Sequence, residues 1–115
     1  MSDSQVDPAI EAMGIRPLRQ AEEAYGGRLV RASIAFAKRL SRTSELVVTH
    51  GVIAFENRPG HEYHRAQVSI VVDGQCRAGV SLRAEHCAEL AAALIEVGRV
   101  AALESRERER NASAW

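Results

Sequence analysis

Residues 66–103, AQVSIVVDGQCRAGVSLRAEHCAELAAALIEVGRVAAL, carry the pattern that decides the fold. Ala66, Val68, Ile70 and Val72 alternate with Gln67, Ser69, Val71 and Asp73, a period of two that specifies a strand. Asp73-Gly74 then supplies a type I′ turn, because both central positions of that turn need positive φ and these residues tolerate it. The next strand puts Cys76, Ala78, Val80 and Leu82 in one phase. After Leu82 the period becomes 3.6, and Glu85 falls in the first turn, where a negative charge complements the helix dipole.

The helix is unusually apolar around its girth. Cys87, Leu90, Ala91, Leu94, Val97, Gly98 and Ala101 recur at spacings of three and four, the stripe of a packed helix. Between Leu90 and Leu103 the only charges are Glu96 and Arg99, so one wet line remains. A single sheet face cannot cover such a helix. The flank with Ile95, Val100 and Leu103 requires either the N-terminal helices or the same helix of a second chain. Ala91, Gly98 and Ala101 are small enough to admit a second backbone, and a close contact would offset the roughly 1 kcal/mol that a helical glycine costs. Leu90, Ala91, Leu94, Ile95, Gly98 and Ala101 are therefore the expected dimer or helix-packing interface. Beyond Leu103, ESRERER is all polar and reads as a solvated helical extension. Trp115 is either docked or disordered.

Upstream, residues 1–6 read as polar and mobile. Asp7-Pro8 is a helix start, with an N-cap acceptor before proline at the first helical position, and predicts a short helix to Met13. Gly14 ends it, and a second helical piece, Leu18 to Tyr25, stops at Gly26-Gly27. From Arg28 to Leu40 a strand is favoured over a helix, with Val30, Ala32, Ile34 and Phe36 opposite Arg31, Ser33, Ala35 and Ala37. Glu45 to Asn57 is a further strand whose apolar phase switches between Val48 and Ile53. A bulge at Gly51, or burial on both faces, would account for the switch.

The expected class is α+β: a three- to four-stranded antiparallel sheet, with strands near 28–40, 45–57, 65–73 and 75–82, packed against a long helix over about 84–108. Residues 1–6 form a flexible N-terminus, 7–103 one domain and 104–115 a charged extension and tail. A chain of 115 residues suits one core, and the 4% aromatic content makes that core aliphatic.

Chemistry is harder to find. No nucleotide-binding glycine loop, GxSxG, HExxH or paired-carboxylate motif is present. His61 and His64 form an HxxH, with His50, His86, Cys76 and Cys87 elsewhere, but zinc sites draw on recognisable pairs from both halves of the site. Both cysteines read as small core residues. The expectation is a protein without catalytic, cofactor or metal residues. Fifteen basic and fifteen acidic residues leave no net field. Without a signal peptide or an apolar run of roughly 20 residues, the chain reads as cytoplasmic with no membrane partner.

One local charge cluster stands out. Arg28, Arg31, Lys38, Arg39 and Arg42 lie in a segment without acids, and Arg31 and Arg39 would share a strand face as a track for phosphates or an acidic partner. With the VSLRAEHCAEL passage from strand to helix, the order of four antiparallel strands and one helix over Arg28 to about Leu103 resembles the small single-strand-binding transcriptional coactivators. That resemblance implies single-strand binding and dimerisation through paired helices. The leading expectation is a small accessory protein, a homodimer that inhibits or adapts a protein partner. Single-stranded nucleic-acid binding through residues 28–42 is the alternative.

Overall fold

A computed structural model describes residues 5–18 and 20–113. In chain order the elements are β1 (Gln5–Val6), α1 (Pro8–Ala12), α2 (Gln20–Ala24), β2 (Gly27–Arg39), β3 (Ser44–Phe55), β4 (Glu62–Val72), β5 (Gln75–Leu82) and α3 (Ala84–Ser113). The chain divides into two compact units, Met1–Ala84 and Glu85–Trp115. The first holds the sheet and the second most of the long helix.

The class is α+β, but the sheet has five strands in the order β1-β2-β3-β4-β5. Four strands are antiparallel neighbours as expected, and the fifth is new: Gln5 and Val6 pair in parallel with Arg31 and Ala32. These two residues, expected to be mobile, have no strand pattern of their own; Asp7 N–H donates to the Ala32 carbonyl at 3.0 Å and holds them to the edge. Residues 1–4 and Trp115 lie outside the described residues. At the turn, Asp73 and Gly74 have φ of 52° and 78°, both positive as a type I′ hairpin demands.

The N-terminal arm covers one face of the sheet, here the inner face. Asp7 caps α1 by accepting from Ala9 N–H at 2.9 Å, and Pro8 starts it. The arm reaches β5, where Cys76 N–H donates to the Met13 carbonyl at 2.7 Å and Gln75 Nε2 to the Ala12 carbonyl at 3.1 Å. It then returns toward β3 and β4. Pro17 lies against Gly51, and Glu22 of α2 pairs with Arg65 at 3.0 Å, both side chains largely buried. Ile10 and Ile15 are driven into a core with Ala32, Val47 and Val71, joined at its margin by Val6, Leu29, Ile34 and Cys76.

Bulges decide which side chains reach that core. β2 slips by one residue between Leu29 and Arg31 and again between Ile34 and Phe36. The expected common side for Ala32, Ile34 and Phe36 is therefore broken: Ala32 and Ile34 face inward opposite Gly51 and Thr49, while Phe36 faces outward opposite Val48. β3 itself pairs with β4 without interruption from Ser44 to Ala54, so its phase switch comes from being the central strand, with apolar residues on both faces, and not from a bulge at Gly51. A slip between β4 and β5 sets Cys76 opposite inward Val71 and Ala78 opposite outward Ile70, which separates Cys76 from the phase of Val80 and Leu82.

On the inner side of β4, polar Gln67 and Ser69 are buried beside Val71, and Thr49 of β3 is buried opposite Gln67. Thr49 Oγ1 donates to the Gln67 carbonyl at 3.5 Å and Gln67 Nε2 to Ser69 Oγ at 3.3 Å. No buried side-chain polar atom among the described residues lacks a partner, so this burial leaves no desolvated group without a hydrogen bond.

Because Ile10 is fully buried at the centre of the arm, Ile10→Ala should lower unfolding stability by about 2–5 kcal/mol. Urea denaturation should show this as a lower midpoint at unchanged slope. An unaltered midpoint would mean that the arm does not seal the inner face.

Candidate interaction surfaces

The antiparallel register builds the outer face in rows. Phe36, Val48, Val68 and Val80 stand side by side across β2 to β5. On one side runs the row Lys38, Leu46, Ile70 and Ala78, and on the other Ser33, His50, Ala66 and Leu82. Phe36 is 51% exposed and Val80 49%, with Ile70 also exposed. The sheet thus carries an aliphatic surface on the side opposite its arm.

Toward the end of that face the polar groups pair among themselves. Arg31 reaches diagonally over β3 to Glu62 and donates twice, at 2.8 and 3.2 Å. This bidentate hydrogen bond, reinforced by the charge, holds the Glu62 carboxyl below the usual carboxylate range. His50 Nε2 and His64 Nδ1 are 2.7 Å apart with stacked rings, so His64 pairs across strands with His50 and not along the chain with His61. Among the described residues no group of three or more His, Cys, Asp or Glu is placed to hold a metal ion.

The five basic residues are not one track. Arg31 lies opposite Val52 and Arg39 opposite Glu45, on different faces, because the bulge before Phe36 shifts the alternation that would have aligned them. Arg39 is tied locally, donating to the Arg42 carbonyl at 2.7 Å and to Glu45 at 3.4 Å. Arg28, Lys38 and Arg42 are exposed, and Lys38 shares the outer face with Phe36. Sequence alternation alone placed Phe36 in the core phase; the bulge has no marker in the sequence.

Within the single chain most of the α3 stripe is exposed. Cys87 is half-buried, but Leu94 is 61% and Ile95 72% exposed, with Leu90, Val97, Val100 and Leu103 also exposed. Glu96 and Arg99 pair at 2.6 Å along the helix as their spacing predicts, which holds Glu96 below its ordinary value. A Cβ at Gly98 would meet nothing within 4 Å. The helix also continues through the charged extension to Ser113. No helix among the described residues is long and apolar enough to cross a membrane.

No family model matches the chain, and no curated protein or solved structure matches it either.

Because the folded-state pKa of Glu62 is depressed, its ion pair adds stability that is present above the unfolded carboxylate value of about 4.3 and is lost as pH falls through the lower folded value. Melting temperatures of wild type and Glu62→Gln should therefore differ at neutral pH and converge as the pH falls below the ordinary carboxylate range and through the lowered folded value. The pair's side chains are about half exposed, and solvent screening keeps the difference small. A gap that persists unchanged to pH 3 would show that titration of this pair is not its source.

Proposed function

We propose that this protein acts by binding and not by catalysis: a small homodimeric accessory protein that inhibits or adapts a protein partner. The observation that carries this reading is the exposed apolar girth of α3, where Leu90, Leu94, Ile95 and Val97 stand in solvent along the stripe and Val100 and Leu103 on the opposite side of the helix, in a single copy. Contiguous apolar surface of this kind marks an interaction site, because leaving it wet costs about 25 cal/mol for each Å² that a partner could cover. Leu90, Ala91, Leu94, Ile95, Gly98 and Ala101 are the proposed contact, with open space at Gly98 for a second backbone. A cytoplasmic setting belongs to the same proposal, and two free cysteines suit a reducing compartment.

Light scattering should give twice the chain mass for the wild type, and Gly98→Leu should return it to a monomer with its helical circular dichroism retained. A monomeric wild type at micromolar concentration would refute the dimer.

A second reading, single-stranded nucleic-acid binding, is favoured by one specific observation. The β2 bulge turns Phe36 outward beside Lys38, the aromatic-plus-cation pairing on which unpaired bases stack. If it holds, single-stranded DNA should bind with an affinity that falls steeply with salt, and replacing Lys38, Arg39 and Arg42 with Ala should weaken binding and flatten that slope. Absence of binding at about 50 mM salt would exclude it.

A further inference from the structure

We propose that the outer face of the sheet receives α3 of a second copy of this chain. The proposal rests on the homodimer above and assigns it a surface that helix-to-helix pairing alone would not use.

The outer face is built like a core and left open. Its central row is Phe36, Val48, Val68 and Val80, and in β4 the apolar alternation points outward while Gln67 and Ser69 take the buried side. A strand whose greasier face is half in water is missing a layer.

The two open surfaces match in size and character. Four strands and three rows span about 14 by 13 Å, a diagonal of about 19 Å. From Leu90 to Ala101 the helix stripe runs about 17 Å. Both are mainly apolar, with Ser33, Lys38 and His50 confined to the two outer rows of the sheet patch, and the small residues Ala91, Gly98 and Ala101 let the helix approach a sheet closely. Docking also avoids burying unpaired charge. Glu85, Glu89 and Glu96 lie about half a turn away from the stripe by helical spacing, so they stay in water. On the sheet, Arg31 is already neutralised by Glu62, and Lys38 sits on β2 at the margin of the patch, where its stem can lie flat and its ammonium reach solvent.

Symmetry favours a second chain as the source of the helix: in a twofold dimer each chain supplies both surfaces, so each sheet patch and each helix flank needs to provide only about half of the roughly 800 Å² per partner that stable interfaces bury.

The test uses full-length chains with Cys76 and Cys87 replaced by Ser. A Val80→Cys chain mixed with a Leu94→Cys chain should form an interchain disulfide on mild oxidation. Independently, Phe36→Lys, at an exposed position, should raise the dimer dissociation constant at least about tenfold while leaving circular dichroism unchanged. If the wild type is dimeric, Leu94→Cys links only to itself and Phe36→Lys still dimerises, the sheet assignment is wrong and the homodimer stands. If Phe36→Lys stays dimeric but loses single-stranded DNA, the face belongs to nucleic acid and the proposal fails. A monomeric wild type overturns both.

Discussion

The structure depends on the N-terminal arm sealing the inner face of the sheet. Ile10 and Ile15 supply its apolar mass, and their burial against Ala32, Val47 and Val71 makes the only buried apolar cluster seen among the described residues. Backbone hydrogen bonds fix the arm at both margins, Asp7 to Ala32 on β2 and Met13 to Cys76 on β5. Those bonds matter because a short helix such as α1 is not stable alone; the packing of its apolar side sustains it. The ion pair of Glu22 with Arg65 adds a third attachment, protected from water on both sides.

Once the arm occupies one face, the fate of every other apolar residue follows from strand alternation and from where that alternation breaks. The two slips in β2 and the one at β5 each move a side chain across the sheet. Phe36 leaves the core, and Cys76 stays at the core margin while Val80 and Leu82, in phase with it in sequence, face outward. The outcome is a sheet with a sealed inner side containing satisfied polar groups and an outer side richer in aliphatic surface, alongside a helix that is apolar over most of its circumference.

Much of this architecture was legible in the chain. The Asp73-Gly74 turn, the strand extents, the start of α1 at Asp7-Pro8 and the change of period after Leu82 are local properties, set by φ preferences, capping and the geometry of two- and 3.6-residue repeats, and they reappear in place. The helix pair Glu96 and Arg99 was readable for the same reason. The candidate surfaces were only half legible: the α3 flank could be counted from its charges, but the outer sheet row, the Arg31 to Glu62 pair and the His50 to His64 pair join residues far apart in sequence.

The sequence by itself determined the class of the protein, its four antiparallel strands and its long apolar helix, because each of those is written in short-range periodicity. Tertiary structure alone decided that Gln5 and Val6 become a fifth strand, that the basic residues divide between two faces, and that Phe36 looks outward with Val48, Val68 and Val80. The physical reason is that a one-residue slip in pairing reverses every following side chain, and a slip is chosen by the partner strand and the arm that packs on it, not by the residues that slip.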